Sequence, residues 1–129
     1  MELNDYQERA MVTCMPTCNN ASYMLLNMVG EVGEFASKVA KHIRKGEAGI
    51  GSGETPNQFF FTAKANVLAD RVALRKEAGD ILWQLAGLCK VMGWDLEVVA
   101  QENLAKLAER AQNGTIAGNG DGTTKEERL

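Results

Sequence analysis

Two acidic tetrads of one design lie in the middle of this chain. One is Glu31-Val32-Gly33-Glu34 and the other is Glu77-Ala78-Gly79-Asp80. Each places two carboxylates three residues apart inside an apolar stretch with helical periodicity. Residues at i and i+3 share a helix face, so each tetrad presents a pair of carboxylates side by side. Acids among apolar neighbours are costly unless their charge is offset, and four of them together would repel one another and hold protons. A hard divalent cation with oxygen ligands relieves both costs. Mg²⁺, with Mn²⁺ as a substitute, is the natural choice, because it keeps several waters and shares its coordination with phosphates. Di-iron bundles use Glu-x-x-His pairs, and neither tetrad has such a histidine.

A cation shared with a polyphosphate calls for donors to hold the phosphate oxygens that the metal does not cover. Lys38, Lys41 and Lys45 continue roughly the face of Glu31 and Glu34. Asn103, Lys106 and Arg110 stand at i, i+3 and i+7 and share one face of a later helix. Trp83 follows Asp80 by three residues, close enough in phase to stack on a nucleobase. No phosphate-binding glycine loop of the Walker type and no G-x-S-x-G elbow occurs. His42 is the single histidine, and nothing beside it completes a nucleophilic triad.

The elements that must position these groups read as helices. A first helix spans about Asn4 to Met15, with Asn4 or Asp5 as its cap, and is stopped by Pro16. Asn19-Asn20 caps a long helix from Tyr23 to about Lys45, whose apolar stripe includes Leu25, Val29, Val32, Phe35 and Ile43. Residues 46–58 are glycine-rich and read as a loop, with helix resuming near Gln58. A second long helix runs from about Ala69 to Met92, and Asp95 caps a last helix to Ala111. Phe59-Phe60-Phe61 is the nearest approach to a strand, short and isolated. Gly33 and Gly79 cost helix stability, and close helix approach is the expected return. Trp94 is expected to pack as a plug between helices. The fold class is therefore all-α, a bundle of four to five helices with two long central ones over residues 1–112, followed by a polar, glycine-rich tail at 113–129.

Bulk properties narrow the function. A length of 129 residues suits one domain. The formal net charge of −3 gives no general attraction to a nucleic-acid polymer or an anionic membrane. The polar N-terminus does not resemble a signal peptide, and the odd set Cys14, Cys18 and Cys89 suits free thiols, so a cytoplasmic location is expected.

Taken together, Glu31-Val-Gly-Glu34-Phe, Glu77-Ala-Gly-Asp80-Ile-Leu-Trp-Gln-Leu, Gly93-Trp-Asp-Leu-Glu and Glu102-Asn-Leu-Ala-Lys106-Leu closely resemble the MazG-like nucleoside triphosphate pyrophosphohydrolases. The stretch from Asn113 to Asp121 resembles a tail of some members. The resemblance implies an all-α fold, a homodimer or tetramer, and Mg²⁺-dependent cleavage of a (d)NTP to (d)NMP and pyrophosphate. It implies metal ligation by Glu31, Glu34, Glu77 and Asp80, with Glu34 or Glu31 acting on water. Asn103 and Lys106 match nucleotide- and phosphate-contacting positions, Lys106 with a catalytic role, while Lys38 and Lys41 match less sharply. A phosphoribosyl-ATP or dUTP pyrophosphohydrolase relative and a non-catalytic helical module are the alternatives. The interval 35–76 is longer than in typical members, which directs attention to it for substrate preference or oligomer contacts.

Overall fold

A computed structural model describes residues 1–46, 48–50, 59–61 and 67–114. Four α-helices dominate it: α1 (Leu3–Met11), α2 (Ala21–Arg44), α3 (Val67–Val91) and α4 (Leu96–Gln112). A single 3-10 turn at Pro16–Cys18 joins α1 to α2. The all-α class holds, and the two long helices are the two that carry the tetrads.

The boundaries follow local chemistry. Helix α1 ends at Met11, short of Met15, because the residue before a proline is steered out of the helical region; Met15 is extended, with ψ of 151°. Asn20 caps α2, its side-chain oxygen accepting from the Tyr23 amide at 2.8 Å. Gly93, at φ of +76°, closes α3 in a left-handed conformation that suits glycine.

Two sequence expectations fail at the insertion between the long helices. Phe59–Phe61 is neither isolated nor helical. It forms strand β2, paired antiparallel with β1 (Ala48–Ile50) in the register Ala48 to Phe61 and Ile50 to Phe59. Aromatic runs favour extended backbone when a partner strand is at hand, and the partner here came from the stretch read as loop. Helix therefore resumes at Val67 rather than near Gln58. Residues 51–58 of the loop and the tail beyond Gly114 lie outside the described residues.

Helices α2 and α3 form the principal packed pair, with α1 laid across α3 and touching α4. As α2 numbers fall from Lys38 to Met24, their α3 neighbours rise from Glu77 to Gly87, so the pair is antiparallel. Gly87 marks a close approach: a Cβ there would meet Met24 Sδ at 2.5 Å. Gly33 and Gly79, expected to serve that purpose, face open space, and an added Cβ would touch nothing within 4 Å. Their backbones point away from the packed seam, whereas Gly87 sits in it.

The core is small. Met24, Leu74, Ala86, Cys89 and Leu96 are buried, with Leu3, Tyr6, Met11 and Val99 packed beside the Ala86–Cys89–Leu96 cluster. Trp94 is not the expected plug, since half of it is exposed. The α2 apolar stripe is largely open: Leu25, Val29, Val32 and Ile43 are all exposed.

The α1–α4 contact is knitted by side chains that sequence reading missed. Asp95 occupies the cap position of α4 but makes no capping bond. Instead Gln7 Oε1 accepts from the Leu96 amide at 3.1 Å, and Asn4 Oδ1 accepts from the Glu97 amide at 3.0 Å. Gln7 Nε2 donates to the carbonyls of Ala86 and Trp94, at 3.2 and 3.1 Å. One buried amide thus ties α1, α3 and the start of α4 together, with donor and acceptor both used.

Candidate functional site: a carboxylate cluster between the long helices

Antiparallel packing turns the i, i+3 spacing of each tetrad into a shared site. One carboxylate oxygen from each of Glu31, Glu34 and Glu77 lies within 4.8 Å of the other two. Glu31 and Glu77 are partly buried and Glu34 is exposed. Asp80 is exposed and stands outside this triplet, yet its charge is felt at Glu31 and at Lys38.

The cluster is electrostatically uncomfortable as it stands. Burial and then the charges of Glu34, Asp80 and Glu77 push the Glu31 carboxyl up, against one lowering hydrogen bond from Asn27. That bond, Asn27 Nδ2 to Glu31 Oε1, is long at 3.4 Å. Lys38 bridges from α2 to Glu77 Oε1 across the helix pair. This contact, ahead of the neighbouring acids, raises the lysine pKa and keeps it charged. Glu31 Oε2 and Glu77 Oε2 remain buried with no hydrogen-bond partner. Buried carboxylate oxygens without donors in a cluster of acids are what a hard cation would satisfy, so the residues fit a divalent ion.

The other sequence candidates divide. Lys38 is at the cluster, and Lys41 is exposed one turn further along α2. Trp83 is pinned by its edge: the indole N–H donates to Ala10 O at 3.1 Å and to Thr13 Oγ1 at 3.0 Å. Tyr6 of α1 stands near Asp80, and burial followed by that charge raises its hydroxyl pKa. Asn103 instead lines a shallow apolar recess with Leu82, Leu85 and Val99. Leu82 and Leu85 turn away from the Glu77–Asp80 face of α3, so Asn103 stands on the other side of that helix. Lys106 and Arg110 share its face of α4. Every group that shifts Glu31 or Lys38 belongs to α2 or α3. Asn103 is thus not brought to the cluster of its own chain. Among residues not anticipated, Asn27 and Gln84 belong to the same polar face. Their phase with the tetrads, four residues before Glu31 and four after Asp80, was the available signal.

A helical pair that gathers carboxylates from two tandem E-x-x-E/D segments defines a class of acidic, cation-compatible sites. The comparisons make the assignment specific. A family model described as the MazG nucleotide pyrophosphohydrolase domain matches residues 19–115, taking in α2, α3 and α4. The chain is also 35% identical over 100 residues to the gene 37 protein of Mycobacterium phage L5, covering 78% of this chain and 74% of that protein. No solved structure matches it. This protein belongs to the MazG nucleotide pyrophosphohydrolase family. Among the described residues, no helix is long and apolar enough to cross a membrane.

Proposed function

We propose that the protein is a Mg²⁺-dependent nucleoside triphosphate pyrophosphohydrolase, with Mn²⁺ able to substitute. The observation that carries this is the three-carboxylate cluster with two buried, partnerless oxygens. Glu31, Glu34 and Glu77 would hold the metal, with Asp80 at the rim. Bound there, the ion would supply charge neutralisation for a triphosphate and make coordinated water more acidic.

The chain's own residues account for the rest. Water attacks the α-phosphorus, its proton passes to Glu34 or Glu31, and the bond from the α-phosphorus to the bridging oxygen breaks. Pyrophosphate leaves with that oxygen, and the nucleoside monophosphate remains. Lys38, held charged at the cluster, offsets negative charge on the phosphates, and Lys41 extends the cationic track. No covalent intermediate is required.

Asn103 stands apart from the cluster within one chain, so the phosphate role of Asn103, Lys106 and Arg110 is proposed across an interface in a homodimer or tetramer. The exposed residues Leu25, Val29, Val32 and Ile43, with Ala36 at the same spacing, supply a seam for a second copy. Light scattering tests assembly directly; a monomer at micromolar concentration contradicts it. For the reaction, the protein is incubated with canonical and modified triphosphates plus Mg²⁺ and pyrophosphate is measured. Release that is abolished by chelation and by Glu34→Gln is expected. Absence of release from every triphosphate, or full activity in Glu34→Gln, defeats the reading.

A further inference from the structure

The polar face between α2 and α3 does not stop at the carboxylates. On α2 it runs from Lys38 through Glu34, Glu31 and Asn27 to Tyr23; on α3 it runs from Glu77 through Asp80 to Gln84. Helical rise places Tyr23 about 12 Å from Glu31 along α2 and Gln84 about 6 Å beyond Asp80 on α3. Tyr23 stands close enough to Cys18, Gln84 and Glu31 for all three to bear on its hydroxyl. The pair therefore adjoins the cluster at the end opposite Lys38.

Gln84 is only 2% exposed, and its Oε1 has no partner. A buried amide oxygen left unmade costs free energy that a ligand donor would recover. The charge along the face gives a polarity. Lysines mark the end that suits phosphates, and the neutral amide and phenol mark the end that suits a nucleobase.

We infer that Gln84 determines base specificity: its Oε1 accepts a hydrogen bond from the exocyclic amino group of a cytosine or adenine base, and Tyr23 orients the amide. This rests on the pyrophosphohydrolase reading, which seats the triphosphate at the carboxylates. The base edge enters past Tyr23, which is only partly buried. A keto group in place of the amine sets oxygen against oxygen and leaves Oε1 unpaired. Sites built around such a bond reject analogues that lack the donor.

The test compares pairs differing only at that group, dCTP with dUTP and dATP with dITP, by kcat/KM in Mg²⁺. The amino member is expected to win by about 10- to 100-fold in at least one pair. Gln84→Leu should bring that ratio to within about threefold of unity by the same logic, Gln84→Glu should keep the preference, and Tyr23→Phe should weaken it. Equal or reversed preference in the wild type, or an unchanged ratio in folded Gln84→Leu and Tyr23→Phe, overturns the inference. Binding of the α,β-imido forms of dCTP, dUTP, dATP and dITP is measured in parallel by calorimetry. Tighter binding of an amino-bearing analogue than of its keto partner without any turnover sinks the hydrolase reading and leaves this inference standing. Failure of all four to bind overturns it.

Discussion

Two glutamines are buried among the described residues, and they are buried to opposite effect. Gln7 sits where α1 meets α3 and α4, and both ends of its amide are bonded, to the Ala86 and Trp94 carbonyls and from the Leu96 amide. Gln84 sits in the α2–α3 seam with its oxygen unmet, a short way from two carboxylate oxygens in the same condition. One polar region is closed on itself and the other leaves its acceptors without partners. A satisfied buried network holds helices in register, whereas an unsatisfied one weakens the fold unless a ligand completes it. On the proposed function, the contrast separates the residues that build this molecule from those that would meet a substrate.

Substitutions can break that contrast. The largest effect is expected at the cluster itself: Glu77→Gln should lower pyrophosphate release by at least about 100-fold, since a ligand and a transition-state charge are lost together. Its thermal midpoint without metal should not fall much, because a carboxylate is removed from a repulsive group. A large drop in midpoint would move Glu77 to the structural side of the comparison.

Gln7→Leu comes next. It strands two carbonyls and one amide, and a loss of about 3 kcal/mol in chemical denaturation is expected, with catalytic constants little changed in the folded fraction. Gln84→Leu is the matched control. Its amide gives up little bonding, so a stability change under about 1 kcal/mol is expected. Equal costs at the two glutamines would erase the distinction.

The smallest effect is in pH dependence. The native Glu31 carboxyl is raised above its ordinary value, so the folded metal-free protein holds a proton that the unfolded chain has released. Its contribution to stability therefore falls as pH rises from the ordinary carboxylate range through the native value, and is recovered on acidification. Glu31→Gln should flatten that part of the stability profile of the metal-free protein, measured by urea melts at several pH values. A profile unchanged by the substitution would show that Glu31 is relaxed in the native state.

Much of this molecule was legible as pattern. Helical periodicity marked all four helices, Pro16 and Gly93 marked stops, and the paired tetrads announced a carboxylate site, because i, i+3 spacing is a property of one helix and needs no partner. Pairing across the chain was not legible. Phe59–Phe61 became a strand because Ala48–Ile50 lies beside it, and Asp95 lost its capping bond to Asn4 and Gln7 reaching over from α1. The apolar stripe on α2 was legible but its covering was not: much of it is exposed, because periodicity shows that a face exists and not what covers it.

The sequence alone determined the helices, the acidic tetrads and, through their spacing and the motifs around them, the family to expect. Only the tertiary structure decided that Glu31, Glu34 and Glu77 share a few ångströms while Asp80 stands at the edge, that Gly87 rather than Gly33 or Gly79 carries the close approach, and that Asn103 turns away from the acids of its own chain. The reason is common to all three. Spacing within a helix is set by local backbone geometry, but the rotation and depth at which two helices meet are set by side chains far apart in the chain, here Met24 against Gly87 and Lys38 across to Glu77.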